Sequence, residues 1–121
     1  MRQLGQLEAM VMQHLWRVGN PVSVREMRET LTEERELAYT TVMTVMDNLH
    51  SKGLVTRQKH GKAYLYSPAS SRDEHTAAVL HEVLADSQDR TAALLHLVGK
   101  MDRDEAADLL SALSERVDDA T

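Results

Sequence analysis

Ala38-Tyr-Thr-Thr-Val-Met-Thr-Val-Met-Asp-Asn-Leu49 has the clearest helical pattern in this chain. With a helical step of about 100° per residue, its apolar side chains share one face, and short hydroxyl and amide side chains share the other. We therefore predict an amphipathic helix whose apolar face lies in a core. The apolar face holds Val42, Val45, Met46 and Leu49, and the polar face holds Thr40, Thr41, Thr44 and Asn48.

The polar face of this helix allows two interpretations. Threonine and asparagine can donate and accept hydrogen bonds at base edges in the major groove of DNA, so the face suits base recognition. The alternative is an amphipathic helix whose polar side meets only solvent. Thr40 and Thr41 also predict a hydroxyl N-cap, because free backbone amides at a helix start need acceptors.

Two shorter helical segments precede this stretch. Apolar residues recur at helical spacing from Leu4 to Val18, which predicts a first helix over Gln6–Val18, ended by the breaker cluster Gly19-Asn-Pro21. Ser23-Val-Arg-Glu26 fits a capping box, in which the serine and glutamate side chains bind each other's backbone amides. We expect a second helix to start there.

The residues after Gly53 change to a strand pattern. Leu54–Lys59 and Ala63–Ser67 read as two strands joined by a turn at His60-Gly61-Lys62. Three helices followed by a two-stranded hairpin form a winged helix-turn-helix, with the hairpin as the wing. We expect backbone phosphate contacts from a mainly basic set on the wing and the helix start, namely Tyr39, Arg57, Lys59 and Lys62. A solvated hairpin is the alternative.

The segment after Pro68 is predicted to be helical throughout. Capping boxes at Ser71-Arg-Asp-Glu74 and Asp102-Arg-Asp-Glu105 open two helices, and an apolar helix over Arg90–Met101 lies between them. So small a unit rarely buries enough apolar surface alone, which favours packing against a second copy. We predict a DNA-binding domain over 1–68 and a dimerisation domain over 69–121, with an interface of Val83, Leu94, Leu95, Val98, Leu109, Leu110 and Leu113.

Charge divides along the same line. Residues 1–68 carry nine Lys/Arg and seven Asp/Glu, whereas residues 69–121 carry five and twelve. The overall net charge of −5 argues only weakly against nucleic acid, because the basic excess is concentrated in the predicted third helix and wing. We expect the acidic half to be held away from a phosphate backbone.

Composition excludes several other functions. The sequence has no cysteine, no Gly-rich phosphate loop and no spacing that supports a catalytic set, so we expect neither an enzyme nor a cofactor. The methionines fit core packing better than copper binding. Six histidines show no metal-binding spacing, although a site assembled across two subunits from His75, His81 or His96 stays open as an alternative. Without a membrane-length apolar run, or an apolar signal core after Met1, we expect a cytoplasmic protein.

Four segments carry a resemblance to a known family. Leu7–Trp16, Ala38–Leu49, Lys52-Gly-Leu-Val55 and Tyr64-Leu-Tyr-Ser-Pro68 resemble the penicillinase-repressor (BlaI/MecI) family. The resemblance implies a homodimeric winged-helix repressor on a palindromic operator, often of β-lactam-resistance or related cell-envelope genes. It also implies that Thr40, Thr41 and Thr44 enter the major groove.

This chain departs from the family pattern in ways that bear on specificity and induction. Asn48 stands where the family often has arginine, so base preference is expected to differ. The resemblance implies a regulatory protease as a partner, yet the Asn-Phe bond cleaved in staphylococcal members is absent because the chain has no phenylalanine. We expect a homodimeric DNA-binding repressor; the alternative is a winged-helix protein-interaction module.

Overall fold

The protein, described here by a computed structural model, is defined over residues 4–120, with side chains described up to Asp119. The expectation about the first residues of the chain falls largely on residues 1–3, which lie outside this range. The predicted fold class is confirmed: the chain is mainly α and contains a winged helix-turn-helix. Its elements are α1 (Gln6–Val18), β1 (Val22–Ser23), α2 (Val24–Thr32), α3 (Tyr39–Ser51), β2 (Val55–His60), β3 (Ala63–Pro68), α4 (Arg72–Ala85), α5 (Arg90–Val98) and α6 (Arg103–Ala120).

One aliphatic core joins the first three helices to the sheet. Its centre holds three fully buried methionines, Met12, Met27 and Met46, as expected if methionine fills irregular gaps between aliphatic side chains. The other buried members come from every element up to β3: Val11, Leu15, Val22, Val24, Leu31, Leu37, Val42, Leu49, Val55 and Tyr66. This core fixes α3 against α1 and α2.

The hairpin belongs to a three-stranded antiparallel sheet of order β1-β3-β2. Strand β1 was not predicted, because two residues carry no alternating pattern and its pairing with β3, Val22 opposite Tyr66, is a long-range contact. The hairpin turn is confirmed at Gly61-Lys62, but His60, predicted to lie in the turn, is the last residue of β2 and pairs with Ala63. Gly61 has φ 66°, a left-handed conformation that favours glycine.

Helix caps follow the sequence in α2 but not in α3. The Ser23 Oγ accepts from the Glu26 backbone N–H at 3.1 Å, and the Ser23 N–H donates to the Glu26 carboxylate at 3.2 Å, so the capping box is confirmed. The threonine cap of α3 is wrong. Its N-cap is Ala38, with no side-chain hydrogen bond, because the helix begins at Tyr39 and both threonines already lie within its first turn.

Trp16 ties α1 to the chain that leaves the wing. Its indole N–H donates to the Ser70 carbonyl at 2.9 Å, and its ring centroid lies 5.4 Å from that of His75. The Arg72 guanidinium lies 5.3 Å from the same indole ring. The end of the wing and the start of α4 are therefore anchored to α1.

The described part of the chain divides into two compact units, residues 4–82 and residues 83–120. No residue over 83–119 is buried within the single chain. In this second unit α5 ends at Val98 rather than at the predicted Met101, because the chain after it turns more tightly through i→i+3 bonds from the backbone N–H groups of Lys100 and Met101. The functional boundary proposed between residues 68 and 69 is a separate claim and stays a prediction.

Within residues 4–120, no helix combines the length and apolar character needed to cross a lipid bilayer.

Candidate nucleic-acid interface

The outer face of α3 carries the hydrogen-bonding side chains that the sequence indicated. Thr40, Thr41, Thr44 and Asn48 are all exposed, while Val42, Met46 and Leu49 on the opposite face are buried. Val45 is half-buried and packs against the same core. Because the apolar side is held in the core, the rotation of α3 is fixed and its polar side faces outward.

Two further residues belong to this outer face, although neither was among the predicted DNA contacts. Met43 and Asp47 are both exposed, and Asp47 lies one helical turn beyond Thr44. The helical step of about 100° already places Met43 and Asp47 on the same side as Thr40. That signal was present in the sequence, but a thioether and a carboxylate do not fit a face defined by hydroxyl and amide groups.

An ion pair fixes the end of α3 against α1. The Lys52 ammonium lies 2.6 Å from the Glu8 carboxylate, and only 15% of the Glu8 side chain is exposed. The hydrogen bond from Lys52 holds the pKa of Glu8 below its ordinary value, and the Gly5 backbone N–H contributes in the same direction. Lys52 therefore has a structural partner, so it adds less to a free basic surface than the sequence count suggests.

The tip of the wing carries two unpaired positive charges. Lys59 near the end of β2 and Lys62 in the turn are both exposed, together with His60. Among the residues that the structure describes, none forms an ion pair or a side-chain hydrogen bond with these two lysines. A pair of free ammonium groups at a hairpin tip is an arrangement that can neutralise phosphates.

Arg57, nearer the base of the wing, is held differently from these lysines. Its Nη1 donates to the Asp47 carboxylate at 2.8 Å and to the Tyr66 hydroxyl at 3.3 Å. Its guanidinium carbon lies 4.2 Å from the centroid of the Tyr64 ring, a cation–π contact. The contacts with Tyr66 and then Asp47 raise the pKa of Arg57 above its ordinary value. Arg57 is thus an oriented group that joins the wing to α3.

These contacts leave an open groove between α3 and the wing. Thr44 and Asp47 line one wall, and the other is formed by Arg57 with the two tyrosines of β3. Tyr39, at the start of α3, is 45% exposed. Of the eight residues predicted to contact DNA, the structure therefore places the four base-contact candidates on one surface and leaves Tyr39, Lys59 and Lys62 accessible.

The second unit carries a different kind of surface. All seven residues predicted to form a dimer interface are large apolar side chains exposed in the single chain, with Leu95 at 66% and Leu110 at 65%. The others are Val83, Leu94, Val98, Leu109 and Leu113. Exposed apolar side chains clustered on so few helices are typical of a surface that a partner covers.

Metal ligands do not converge in the described part of the chain: no group of three His, Cys, Asp or Glu side chains there could hold an ion.

Comparison with known proteins identifies the family. The family model described as penicillinase repressor matches residues 4–115. This chain belongs to the penicillinase repressor family. The resemblance noted from the four sequence segments is thereby confirmed.

A curated relative shares part of its sequence with this chain. The transcriptional regulator BlaI of Mycobacterium tuberculosis is 46% identical over 71 residues, which cover 59% of this chain and 51% of that protein. The chain thus spans about half the length of this curated relative. The family is described as a repressor and this relative as a transcriptional regulator, neither of them an enzyme, which confirms the expectation of a non-enzymatic protein.

Two solved structures share the winged-helix fold. The DNA-binding domain of the repressor BlaI matches with a TM-score of 0.54 and 22% identity, covering 60% of this chain and 88% of that one. The monomeric form of Bacillus licheniformis BlaI, in complex with the blaP half-operator, matches with a TM-score of 0.50 and 22% identity, covering 60% and 87%.

Proposed function

We propose that this protein is a sequence-specific transcriptional repressor that binds a palindromic DNA operator as a homodimer. The observation that carries the proposal is the exposed Thr/Asn face of α3 beside a wing tip with two unpaired lysines. A helix inserted in the major groove supplies base contacts, and a basic hairpin beside it supplies phosphate contacts. The family's name and the relatives' description as regulators support the same function.

Base recognition is assigned to Thr40, Thr41, Thr44 and Asn48. Asparagine can bind the N6 and N7 edge of adenine with two hydrogen bonds, and threonine can bond a base edge or pack its methyl group on thymine. Contact with the DNA backbone is assigned to Tyr39, Lys59 and Lys62. Arg57 joins this set, because its guanidinium has five N–H donors and Asp47 and Tyr66 leave some of them free.

The apolar surface of the second unit is assigned to a second copy of this chain. Seven exposed Val and Leu side chains on one short helical unit are too many to leave in water, and a two-fold contact lets the same patch cover itself. The Bacillus licheniformis structure places a monomeric BlaI on a half-operator, so a whole operator would take two copies. Inverted half-sites would then lie about one helical turn apart, or a multiple of it.

The regulated genes are proposed by analogy with the family. By this analogy the protein represses β-lactam-resistance genes or related genes of the cell envelope. A cytoplasmic location and a regulatory protease as a further partner belong to the same proposal.

Removing the two wing-tip lysines tests the proposal. In the Lys59→Ala/Lys62→Ala variant, affinity should fall to a similar extent on operator and random duplexes, because phosphate contacts carry no sequence information. The slope of log K against log salt should lose roughly one unit for each lost phosphate contact. Fluorescence anisotropy titrations over a range of salt concentrations measure both quantities.

A matched control removes the same charge elsewhere. Lys100→Ala/Arg103→Ala takes two positive charges from the second unit and should leave the salt slope unchanged. If binding of the unaltered protein to DNA is independent of salt, or the wing variant behaves like this control, the protein-interaction module becomes the better interpretation.

A further inference from the structure

Asp47 is the one acidic side chain on the DNA-facing side of α3, and its position is unusual for that surface. A carboxylate facing a phosphate backbone is repelled unless a neighbouring cation or a hydrogen-bond donor compensates it. Its side chain is 59% exposed, so it has not been withdrawn into the core. Asp47 shares a face with Thr44, one helical turn before it, and with Thr40, two turns before it.

Arg57 compensates this charge and fixes its orientation. The Nη1 group lies 2.8 Å from Oδ1 of Asp47, and only 22% of the Arg57 side chain is exposed. The guanidinium plane is in turn held by the Tyr64 ring and by the Tyr66 hydroxyl. A planar group with three partners loses little further freedom on binding, so the carboxylate it holds is ordered in advance.

One oxygen of this carboxylate stays available. Arg57 occupies Oδ1, and within the described residues no donor contacts Oδ2. An ionised carboxylate can only accept hydrogen bonds. In the major groove the exocyclic amines of cytosine (N4) and adenine (N6) are donors, whereas guanine and thymine present acceptors at the corresponding places. The N6 amine of adenine lies beside the N7 acceptor, which repels a carboxylate, so cytosine is the base that an aspartate prefers.

We propose that Asp47 is a specificity-determining residue that reads a cytosine in the operator through Oδ2, with Arg57 as the residue that positions it. This inference rests on the proposed function and adds to it a base identity and a fifth base-contacting side chain. The Asp47–Arg57 pair couples the wing to base recognition, because the wing supplies the cation that makes a carboxylate tolerable in the groove.

Selection from a library of duplexes with a randomised central segment tests the inference with the complete chain. The unaltered protein should select a C·G pair at one position of each half-site. The Asp47→Ala variant should lose about tenfold of its discrimination at that position, while preferences at other positions stay. The Asp47→Asn variant should shift the preference there from cytosine toward adenine, because an amide can bind the N6 and N7 edge.

A variant of Arg57 tests its positioning role, and a charge change on α6 is the matched control. Arg57→Ala should weaken the cytosine preference more than the other preferences, since the carboxylate loses its orientation. Removal of a mere phosphate contact would lower affinity for all sequences alike. Asp108→Asn removes the same charge from α6 and should leave the selected sequence unchanged.

The results distinguish a failure of this inference from a failure of the proposed repressor function. If both Asp47 variants bind every duplex more tightly and select the same sequence as the unaltered protein, Asp47 is only a counterion of Arg57 and the inference is wrong while the repressor stands. If the unaltered protein enriches no sequence at all, the proposed function fails and the inference fails with it. Circular dichroism melting of each variant identifies a loss of folding. If Asp47→Ala is unfolded, the base preference of Asp47→Asn, which keeps the side-chain shape, tests the inference.

Discussion

Leu95→Asp should convert the protein to a monomer and lower its affinity for a full operator by about a hundredfold or more. Leu95 is the most exposed large apolar side chain of the proposed interface, at 66% in the single chain. In a dimer that covers it, the new carboxylate would be buried without a partner, which is costly. A monomer also loses the second, intramolecular binding event, which is worth roughly 10²–10⁴ in avidity. Sedimentation velocity measures the association state, and titration of a two-half-site duplex measures the affinity.

The control for this change introduces an aspartate on α6, on the side of that helix away from its apolar stripe. Ser111 lies opposite the stripe of Leu110, Leu113 and Val117 at the helical step of about 100° per residue. Ser111→Asp should leave both the dimer and the operator affinity intact. A dimer that survives Leu95→Asp, or an unaltered chain that sediments as a monomer at micromolar concentration, contradicts the role assigned to α5.

Asn48→Ala should cost about 1–3 kcal/mol of binding free energy on the preferred operator and much less on random duplex DNA. The reason is that a bidentate amide contact with adenine is lost only where that adenine is present. Asn48 is exposed on α3, so its truncation should leave the melting temperature of the protein almost unchanged. Parallel titrations of the operator and of a random duplex at one salt concentration give the two free energies.

Asn20→Ala provides the matched control, because it removes an exposed amide from the loop after α1, away from the face of α3. It should leave both affinities unchanged. Equal losses on the two duplexes for Asn48→Ala would mean that Asn48 contacts the DNA backbone or supports the fold, and base recognition would then have to come from the threonines.

Local signals made most of the fold predictable. The bounds of α1, the Ser23 capping box and the Gly61-Lys62 turn depend on residues within a few positions of each other, and all three match the sequence. Strand β1 escaped prediction because only its partner in β3 makes it a strand. The threonine cap failed because α3 begins two residues earlier than a cap at Thr40 requires, which places the threonine hydroxyls in the first turn.

The candidate site was predictable in composition but not in its pairing. The helical periodicity alone predicts which residues lie on the outer face of α3, and the local excess of Lys and Arg predicts a basic wing. The partners of the cations depend on the folded chain, since Glu8 is 44 residues from Lys52 and Asp47 is 10 residues from Arg57. Counting charges along the sequence therefore treats Lys52 and Arg57 as equivalent to Lys59 and Lys62, although the structure divides them into paired and unpaired groups.

Recognition of a specific operator by α3 and the wing can be measured by capturing genomic DNA fragments with the complete protein and footprinting those that are enriched. We expect a small set of enriched fragments, each with a protected inverted repeat whose half-sites lie about one helical turn apart or a multiple of it. Binding to these fragments should weaken steeply as salt rises. Capture of all fragments alike, or enriched fragments without a protected repeat, would contradict it.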